Sequence, residues 1–210
     1  MPSPWVWDDA AQRYRDTETG RWMGAKQMVE ARDEFVEYLK AESDSYVQRL
    51  AEGQNIGRWQ LDMEERIRQA YIDEYTMAVG GRNNMTQADW GRVGEMIKEQ
   101  DRYLNKFAIE VRAGNLSDAQ IKARSRMYMD SATQAYERGR AAAMGLPPLP
   151  AYPGDGQTVC KANCKCHWEI EPIEGDGWDC TWSLGDAEHC PDCVENAQKW
   201  NPLHVERPNA

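Results

Sequence analysis

Apolar side chains recur every three or four positions through the first two thirds of the chain, which is the spacing of one buried helix face. The pattern predicts a first helix over about residues 25–52 and a second over about 58–79, the latter ended by Gly80 and Gly81. The apolar stripes are Val29, Val36, Leu39, Tyr46 and Leu50 in the first helix, and Trp59, Met63, Ile67, Ala70 and Met77 in the second.

Two further helices begin at capping signals. Thr86 precedes Asp89 by three residues, and Ser117 precedes Gln120 by the same interval, as in a capping box. Four amphipathic segments with short connections predict a mainly α fold for residues 25–145, either a helical bundle or elongated helical hairpins that need a partner. The stripes are Trp90, Val93, Ile97, Leu104, Phe107 and Val111 in the third helix, and the smaller Ile121, Tyr128, Ala132, Ala135 and Ala142 in the fourth.

Residues 1–24 predict an N-terminal arm rather than a helix. A strand would place Trp5 and Trp7 on one face, and residues 13–23 predict a short hairpin with Gly20 as the left-handed residue of its turn. Trp and Arg are favoured anchors of protein interfaces, so the arm is a candidate for partner binding, although a partly apolar terminus without a partner has the same pattern. The candidate partner-binding residues are Trp5, Trp7, Arg13, Tyr14 and Trp22.

The last third of the chain has a different character. Residues 146–154 hold four prolines and predict an extended linker, and residues 155–210 predict a small Cys-rich module. Within the module the pattern predicts a β-hairpin of strands 166–171 and 179–184 around the turn Gly175-Asp176-Gly177, followed by one short helix over 192–200.

Charge narrows the classes of partner. The formal net charge is −10, and residues 151–210, with 11 acids and 4 bases, carry −7 of it. Zinc modules that bind nucleic acid are usually basic, because phosphate contacts supply most of the affinity, so strong nucleic-acid binding is not expected. No apolar run approaches the ~20 residues of a membrane span, and the N-terminus lacks a secretory signal pattern. We therefore expect folding in a reducing cytoplasm, where clustered cysteines bind metal more often than they form disulfides.

The six cysteines all lie in the module. Cys190-x2-Cys193 is the usual half of a tetrahedral zinc site, in which a tight turn brings two thiolates to one ion. The other half must come from Cys160, Cys164 and Cys166, three candidates for two places. A module of about 60 residues buries too little for an independent core, so we predict one structural Zn²⁺ that staples the module. Cys180 is predicted to be a packed thiol on a strand face, and reduced cysteines without metal, or disulfides, are the alternatives.

An enzyme is not expected. His167 and His189 adjoin cysteines, but neither belongs to a His-x-Glu placed before a Pro-Cys-x2-Cys motif, as zinc deaminases require. An open zinc site would need three protein ligands and a water, and a cysteine nucleophile beside either histidine would point to the opposite face of its strand. Both histidines are therefore predicted to be surface residues or neighbours of the ligands.

Motifs at both ends of the chain resemble those of tailed-phage structural proteins. Arg13-Tyr-Arg-Asp-Thr-Glu-Thr-Gly-Arg21 resembles an N-terminal signature of such proteins. Tyr152-Pro-Gly-Asp-Gly followed by Cys160-Lys-Ala-Asn-Cys-Lys-Cys166 resembles the C-terminal cysteine motif of phage head-morphogenesis, or minor head, proteins. Ala187-Glu-His-Cys-Pro-Asp-Cys193 resembles a second motif of such proteins, although in several of them it precedes the first.

The resemblance implies a non-enzymatic, minor structural component of a virion, assembled in the host cytoplasm. Its partners would be portal or capsid proteins, or further copies of the chain within the virion. Some proteins of this type lack a cysteine at the place of Cys164, so the resemblance favours Cys160 and Cys166 as the zinc partners of Cys190 and Cys193, with Cys164 as an alternate ligand. A zinc-dependent nucleic-acid-binding or regulatory module is the alternative function, and a metalloenzyme is a weaker one.

Overall fold

The second helix of the chain lies at the centre of the helical region in the computed structural model. The structure describes residues 5–8, 10–11, 13–174, 177–185 and 187–207, without the side chains of Trp7, Ala25, Lys26 and Val29. Five helices make up this region: α1 (Ala25–Ala51), α2 (Ile56–Ala78), α3 (Gln87–Arg112), α4 (Asp118–Asp130) and α5 (Thr133–Ala143). α2 packs against α1, α3 and α5, and α1 also packs along α4. The chain is thus mainly helical, as predicted.

The helix termini follow the capping chemistry of the sequence. The Thr86 hydroxyl accepts a hydrogen bond from the Asp89 N–H, and the Asp89 carboxylate accepts one from the Thr86 N–H. Ser117 and Gln120 form the same reciprocal pair at the start of α4. The largest fully buried apolar and aromatic side chains of the helical region are Trp59, Tyr71, Tyr75, Phe107, Leu39, Met63, Ile67, Leu104 and Met129.

The prediction of a single fourth helix is wrong in one respect. In the structure this segment is divided into α4 and α5 at Ser131 and Ala132. The buried Tyr71 hydroxyl of α2 lies 2.9 Å from the Ser131 hydroxyl and 3.2 Å from the Ser131 carbonyl oxygen. Around this point the backbone switches to i to i+3 bonds, in which the Gln134 and Ala135 N–H groups donate to Ser131 and Ala132. A buried hydroxyl that competes for a helix carbonyl locally replaces the regular ladder.

The N-terminal arm is folded onto the helices. Strands β1 (Trp5–Asp8) and β2 (Arg13–Asp16) pair antiparallel, and an isolated bridge joins Arg15 to Trp22 across a turn in which Gly20 has φ +69°. Trp5 is buried edge-on against Phe35 of α1, with ring centroids 5.6 Å apart. The Tyr14 hydroxyl donates to the carbonyl of Met77 at the end of α2.

The C-terminal module contains a three-stranded antiparallel sheet rather than only the predicted hairpin. Its strands are β3 (His167–Ile173), β4 (Gly177–Ser183) and β5 (Leu203–Glu206), in the order β3-β4-β5, with helix α6 (Pro191–Lys199) before β5. The predicted turn residues 175 and 176 lie outside the described residues. Trp168, Trp182 and Trp200 contact one another with ring centroids 5.2–5.7 Å apart and form the centre of a second core.

The Pro-rich segment 146–154, predicted as a linker, is part of that second core. Leu146, Leu149 and Tyr152 are buried in it, and the Leu149 N–H donates to the Tyr152 hydroxyl at 2.9 Å. The Trp168 indole N–H donates to the Ala151 carbonyl at 3.0 Å. The segment therefore packs as part of the module's core and is not a free linker.

Among the described residues, no helix combines the length and the apolar content that a membrane span requires.

Candidate metal centre

The first group of cysteines lies on an irregular loop between Tyr152 and β3. Residues Lys161–Asn163 form a short 3₁₀ turn, and Lys161 takes a left-handed conformation with φ +49°. This turn reverses the chain between Cys160 and Cys164, and Cys166 follows directly before β3. The Val159 N–H donates to the Asp192 carboxylate of α6 at 2.8 Å, which holds the loop against the helix.

The second group lies at the start of α6. Cys190 is the N-cap, Pro191 occupies the first turn, and Cys193 lies one turn into the helix. The predicted tight turn at Cys190-x2-Cys193 is thus the first turn of a helix, which begins one residue earlier than predicted. Proline suits this place, since the first helical N–H has no intrahelical partner. The free N–H groups at a helix N-terminus also favour negative charge on nearby sulfur.

Five sulfur atoms converge between the loop and α6. The Cys193 sulfur lies 3.7 Å from that of Cys160 and 3.6 Å from that of Cys164. Two groups of three sulfurs have all their members within 4.8 Å of one another, and Cys193 belongs to both. The outer triad is Cys160, Cys190 and Cys193, and the inner triad is Cys164, Cys166 and Cys193. The sequence prediction kept Cys164 as an alternate, and it lies as near to Cys193 as Cys160 does.

Burial differs between the two triads. Cys164, Cys166 and Cys193 are buried, whereas Cys160 and Cys190 are half-buried. All six cysteines are free thiols.

The thiols of the cluster differ in their tendency to ionise. Burial raises the pKa of Cys160 to about 11 and also raises that of Cys193, and the side chain of Cys166 and burial raise the pKa of Cys164. Burial opposes ionisation of Cys190 as well, but the backbone N–H groups of Cys193 and Cys160 lower its pKa. Several thiolates this close repel one another unless a cation lies between them.

The donor set fits a zinc ion. Tetrahedral coordination at a Zn–S distance of about 2.3 Å separates the sulfurs by roughly 3.8 Å, close to the two separations from Cys193. Soft thiolate donors select Zn²⁺ or Cu⁺ over hard cations such as Mg²⁺. Four sulfurs complete a zinc sphere without a water, which is the form of a structural site rather than a catalytic one.

Cys180 lies apart from this cluster. It is fully buried in β4, opposite Ile170 of β3 and Leu203 of β5, and burial raises its pKa to about 11. Within the described part of the chain, neither His167 nor His189 joins a group of clustered metal-ligating atoms. The His167 imidazole lies 3.6 Å from the Glu169 carboxylate at the surface.

The candidate partner-binding residues of the arm separate into two groups. Trp5 and Tyr14 are buried against the chain's own helices, so their side chains are not available at the surface. Arg13 and Trp22 are exposed, and the Arg13 guanidinium lies 4.3 Å from the Trp22 ring centroid. The side chain of Trp7 lies outside the described residues. Partner binding by the arm stays a prediction, and it now concerns Arg13 and Trp22.

Sequence reasoning missed two polar residues beside the cluster. No functional role was predicted for Asp192, yet its carboxylate accepts a hydrogen bond from the Val159 N–H of the loop. The Thr158 hydroxyl lies 3.1 Å from the Cys160 sulfur. The contact of Asp192 has no local signal, because it spans 33 residues, whereas Thr158 lies two residues before Cys160 and its spacing alone does not mark it as a neighbour of that sulfur.

The chain was compared with protein-family models, with curated proteins and with solved structures, and none of the three comparisons finds a match. The geometry of the cluster and the motifs of the sequence therefore carry the functional argument.

Proposed function

We propose that this protein is a non-enzymatic structural component of a phage virion, of the minor head type, whose C-terminal module is stapled by one structural Zn²⁺. The observation that carries the zinc site is the convergence of four other cysteine sulfurs on that of Cys193. The observation that carries the virion role is the resemblance of the motifs at residues 13–21, 152–166 and 187–193 to those of phage structural proteins.

The zinc site has a structural purpose in this proposal. The module's own apolar core is small, and its loop from residue 153 to 166 has little regular structure. Metal binding to such a module contributes directly to its folding free energy, of order 10 kcal/mol in small zinc domains. Zn²⁺ between the loop and α6 would fix two segments that are separated along the chain by strands β3 and β4.

The helical region and the arm would supply the contacts with other virion proteins. Exposed apolar side chains on this part include Leu61, Tyr103 and Ile109, and Trp22 is exposed on the arm. Portal or capsid proteins, or further copies of the chain, are the proposed partners. The module's charge of −7 supports a protein partner over nucleic acid, since phosphate binding requires a basic surface.

Two measurements test the two parts of the proposal. For the zinc site, elemental analysis of freshly purified protein should give about one Zn per chain, with loss of the metal on dialysis against a chelator. Protein free of metal, with six reactive thiols, would contradict it.

For the virion role, the protein should co-sediment with intact, nuclease-treated heads from a lysate of the encoding phage. Its absence from purified heads would contradict the proposed role without affecting the zinc site. Salt-sensitive binding to DNA or RNA would instead favour the nucleic-acid alternative.

A further inference from the structure

Five sulfurs surround a space in which a tetrahedral ion binds four. We propose that Cys193 is the one obligatory ligand of the zinc site, and that Cys160, Cys164, Cys166 and Cys190 exchange among the other three places. This inference rests on the proposed zinc site and specifies how its ligands are used.

The two triads overlap in a single sulfur. Cys193 is common to both, and within each triad all three sulfurs already lie within 4.8 Å of one another. A four-sulfur sphere that contains one whole triad takes its fourth sulfur from the other triad. Every sphere of this kind contains Cys193 and leaves one of the remaining four sulfurs unbound.

The distances support exchange between the triads. Cys193 is 3.7 Å from Cys160 in the outer triad and 3.6 Å from Cys164 in the inner triad, both near the sulfur separation in a zinc tetrahedron. In each triad, one sulfur thus lies at a near-ideal separation from the Cys193 sulfur for tetrahedral zinc. A small shift of the ion exchanges one sulfur for another, with no need for a large movement of the chain.

The loss of a single cysteine should have a different effect at Cys193 than at the other four positions. Without Cys160 or Cys190 the inner triad stays complete, and the surviving outer sulfur fills the fourth place. Without Cys164 or Cys166 the outer triad stays complete in the same way. Without Cys193 both triads are broken, and two separated pairs remain.

The test is a set of single Cys→Ser variants of the full chain, with Zn²⁺ affinity measured by competition with a chromogenic chelator. We expect Cys160→Ser, Cys164→Ser, Cys166→Ser and Cys190→Ser each to keep one Zn and to lose at most ~10-fold in affinity. Cys193→Ser should lose ~1,000-fold or more, since it leaves no complete triad. Cys180→Ser, which changes a buried thiol outside the cluster, is the matched control and should bind as the wild type does.

An affinity loss for any of the four variants as large as that for Cys193→Ser would overturn the proposal, because it would indicate four fixed ligands. Loss of zinc from the wild type itself would instead contradict the proposed zinc site. These two failures are distinguished by the wild-type stoichiometry.

A second measurement uses only the wild-type protein, because Cys193 is buried and its variant can fail to fold. The zinc-loaded protein is treated briefly with iodoacetamide, whose carbon is attacked by a thiolate sulfur with release of iodide. Exchange predicts about one alkylation per chain, zinc retained, and the label divided between the half-buried Cys160 and Cys190. A label confined to one cysteine would identify a fixed fifth thiol and overturn the proposal.

Discussion

At the scale of single residues, Glu74 of α2 has an unusual environment for a carboxylate. Its side chain is fully buried, and neither carboxylate oxygen has a hydrogen-bond partner among the described residues. Burial raises its pKa to about 8, against the favourable charge of Arg32 and together with the negative charges of Asp33, Asp73 and Glu137. A carboxyl group in such a place is stabler protonated than ionised.

The raised pKa makes the stability of the fold depend on pH. Between the ordinary pKa of 4.5 and about 8, the unfolded chain releases this proton while the folded chain keeps it. The free energy of unfolding therefore falls as pH rises through this window, and above it the group adds no further pH dependence. Glu74→Gln removes the ionisation, so the variant should exceed the wild type in stability by on the order of 3 kcal/mol at pH 8 and by much less at pH 5.

Urea denaturation followed by circular dichroism at pH 5, 6.5 and 8 measures this difference. Glu65→Gln, at an exposed position of the same helix, is the matched control and should show no such trend. An equal stability difference for Glu74→Gln at all three pH values would show that Glu74 stays ionised in the folded protein.

At the scale of elements, the contact between α2 and α5 depends on Gly139. A Cβ at this position would lie 2.7 Å from the Ala78 Cβ and 3.1 Å from the Tyr75 carbonyl oxygen, so only glycine permits this approach. At an exposed position inside a helix, a Gly→Ala substitution stabilises the protein by up to about 1 kcal/mol. At Gly139 the steric clash should outweigh this gain in helix propensity, so we expect Gly139→Ala to destabilise the protein by about 1–3 kcal/mol.

Thermal denaturation of two variants tests this contact. Gly94→Ala, at an exposed place in α3 where a Cβ would meet no atom within 4 Å, is the matched control and should raise the melting temperature. If both variants raise it, the two helices separate at little cost and the packing argument is wrong.

Sequence predicted the elements wherever the decisive contacts are local. The capping residues Thr86 and Ser117 act within three residues of themselves, so the starts of α3 and α4 follow from the sequence. The division between α4 and α5 depends on Tyr71, which is 60 residues from Ser131. Gly139 likewise has no local signal, because its reason is the backbone of another helix.

The same distinction applies to the candidate metal centre. The pairing of Cys190 with Cys193 is visible in their spacing, which the first turn of α6 explains. The sulfurs of Cys160 and Cys164 lie at nearly equal distances from that of Cys193 because of the way the loop folds over α6. That fold depends on long-range hydrogen bonds such as the one from the Val159 N–H to the Asp192 carboxylate. Strand β5 was missed because its four residues, Leu203–Glu206, gain their place by pairing with β4.

At the scale of the whole molecule, two cores meet at a polar junction. The Glu137 carboxylate of α5 accepts a hydrogen bond from the Trp168 N–H of β3 at 3.3 Å, and Arg140 donates to the Trp168 carbonyl at 3.3 Å. Arg140 and Glu137 also form an ion pair, and Glu137 is only 2% exposed. The junction therefore uses both backbone groups of a single strand residue, and the Gln134 side chain of α5 adds a hydrogen bond to the Gly154 carbonyl.

The partition into two cores predicts a local response to metal removal. The helical core contains no cysteine, whereas Cys164, Cys166 and Cys193 belong to the core of the module. A chelator should therefore speed amide hydrogen exchange across residues 155–207, measured by mass spectrometry, and leave α1, α2 and α3 protected. Addition of Zn²⁺ should restore protection, and Mg²⁺, a poor partner for thiolates, should not. A uniform loss of protection along the chain would mean that the two cores unfold as one unit, while unchanged exchange in the module would mean that its tryptophan core holds the fold without metal.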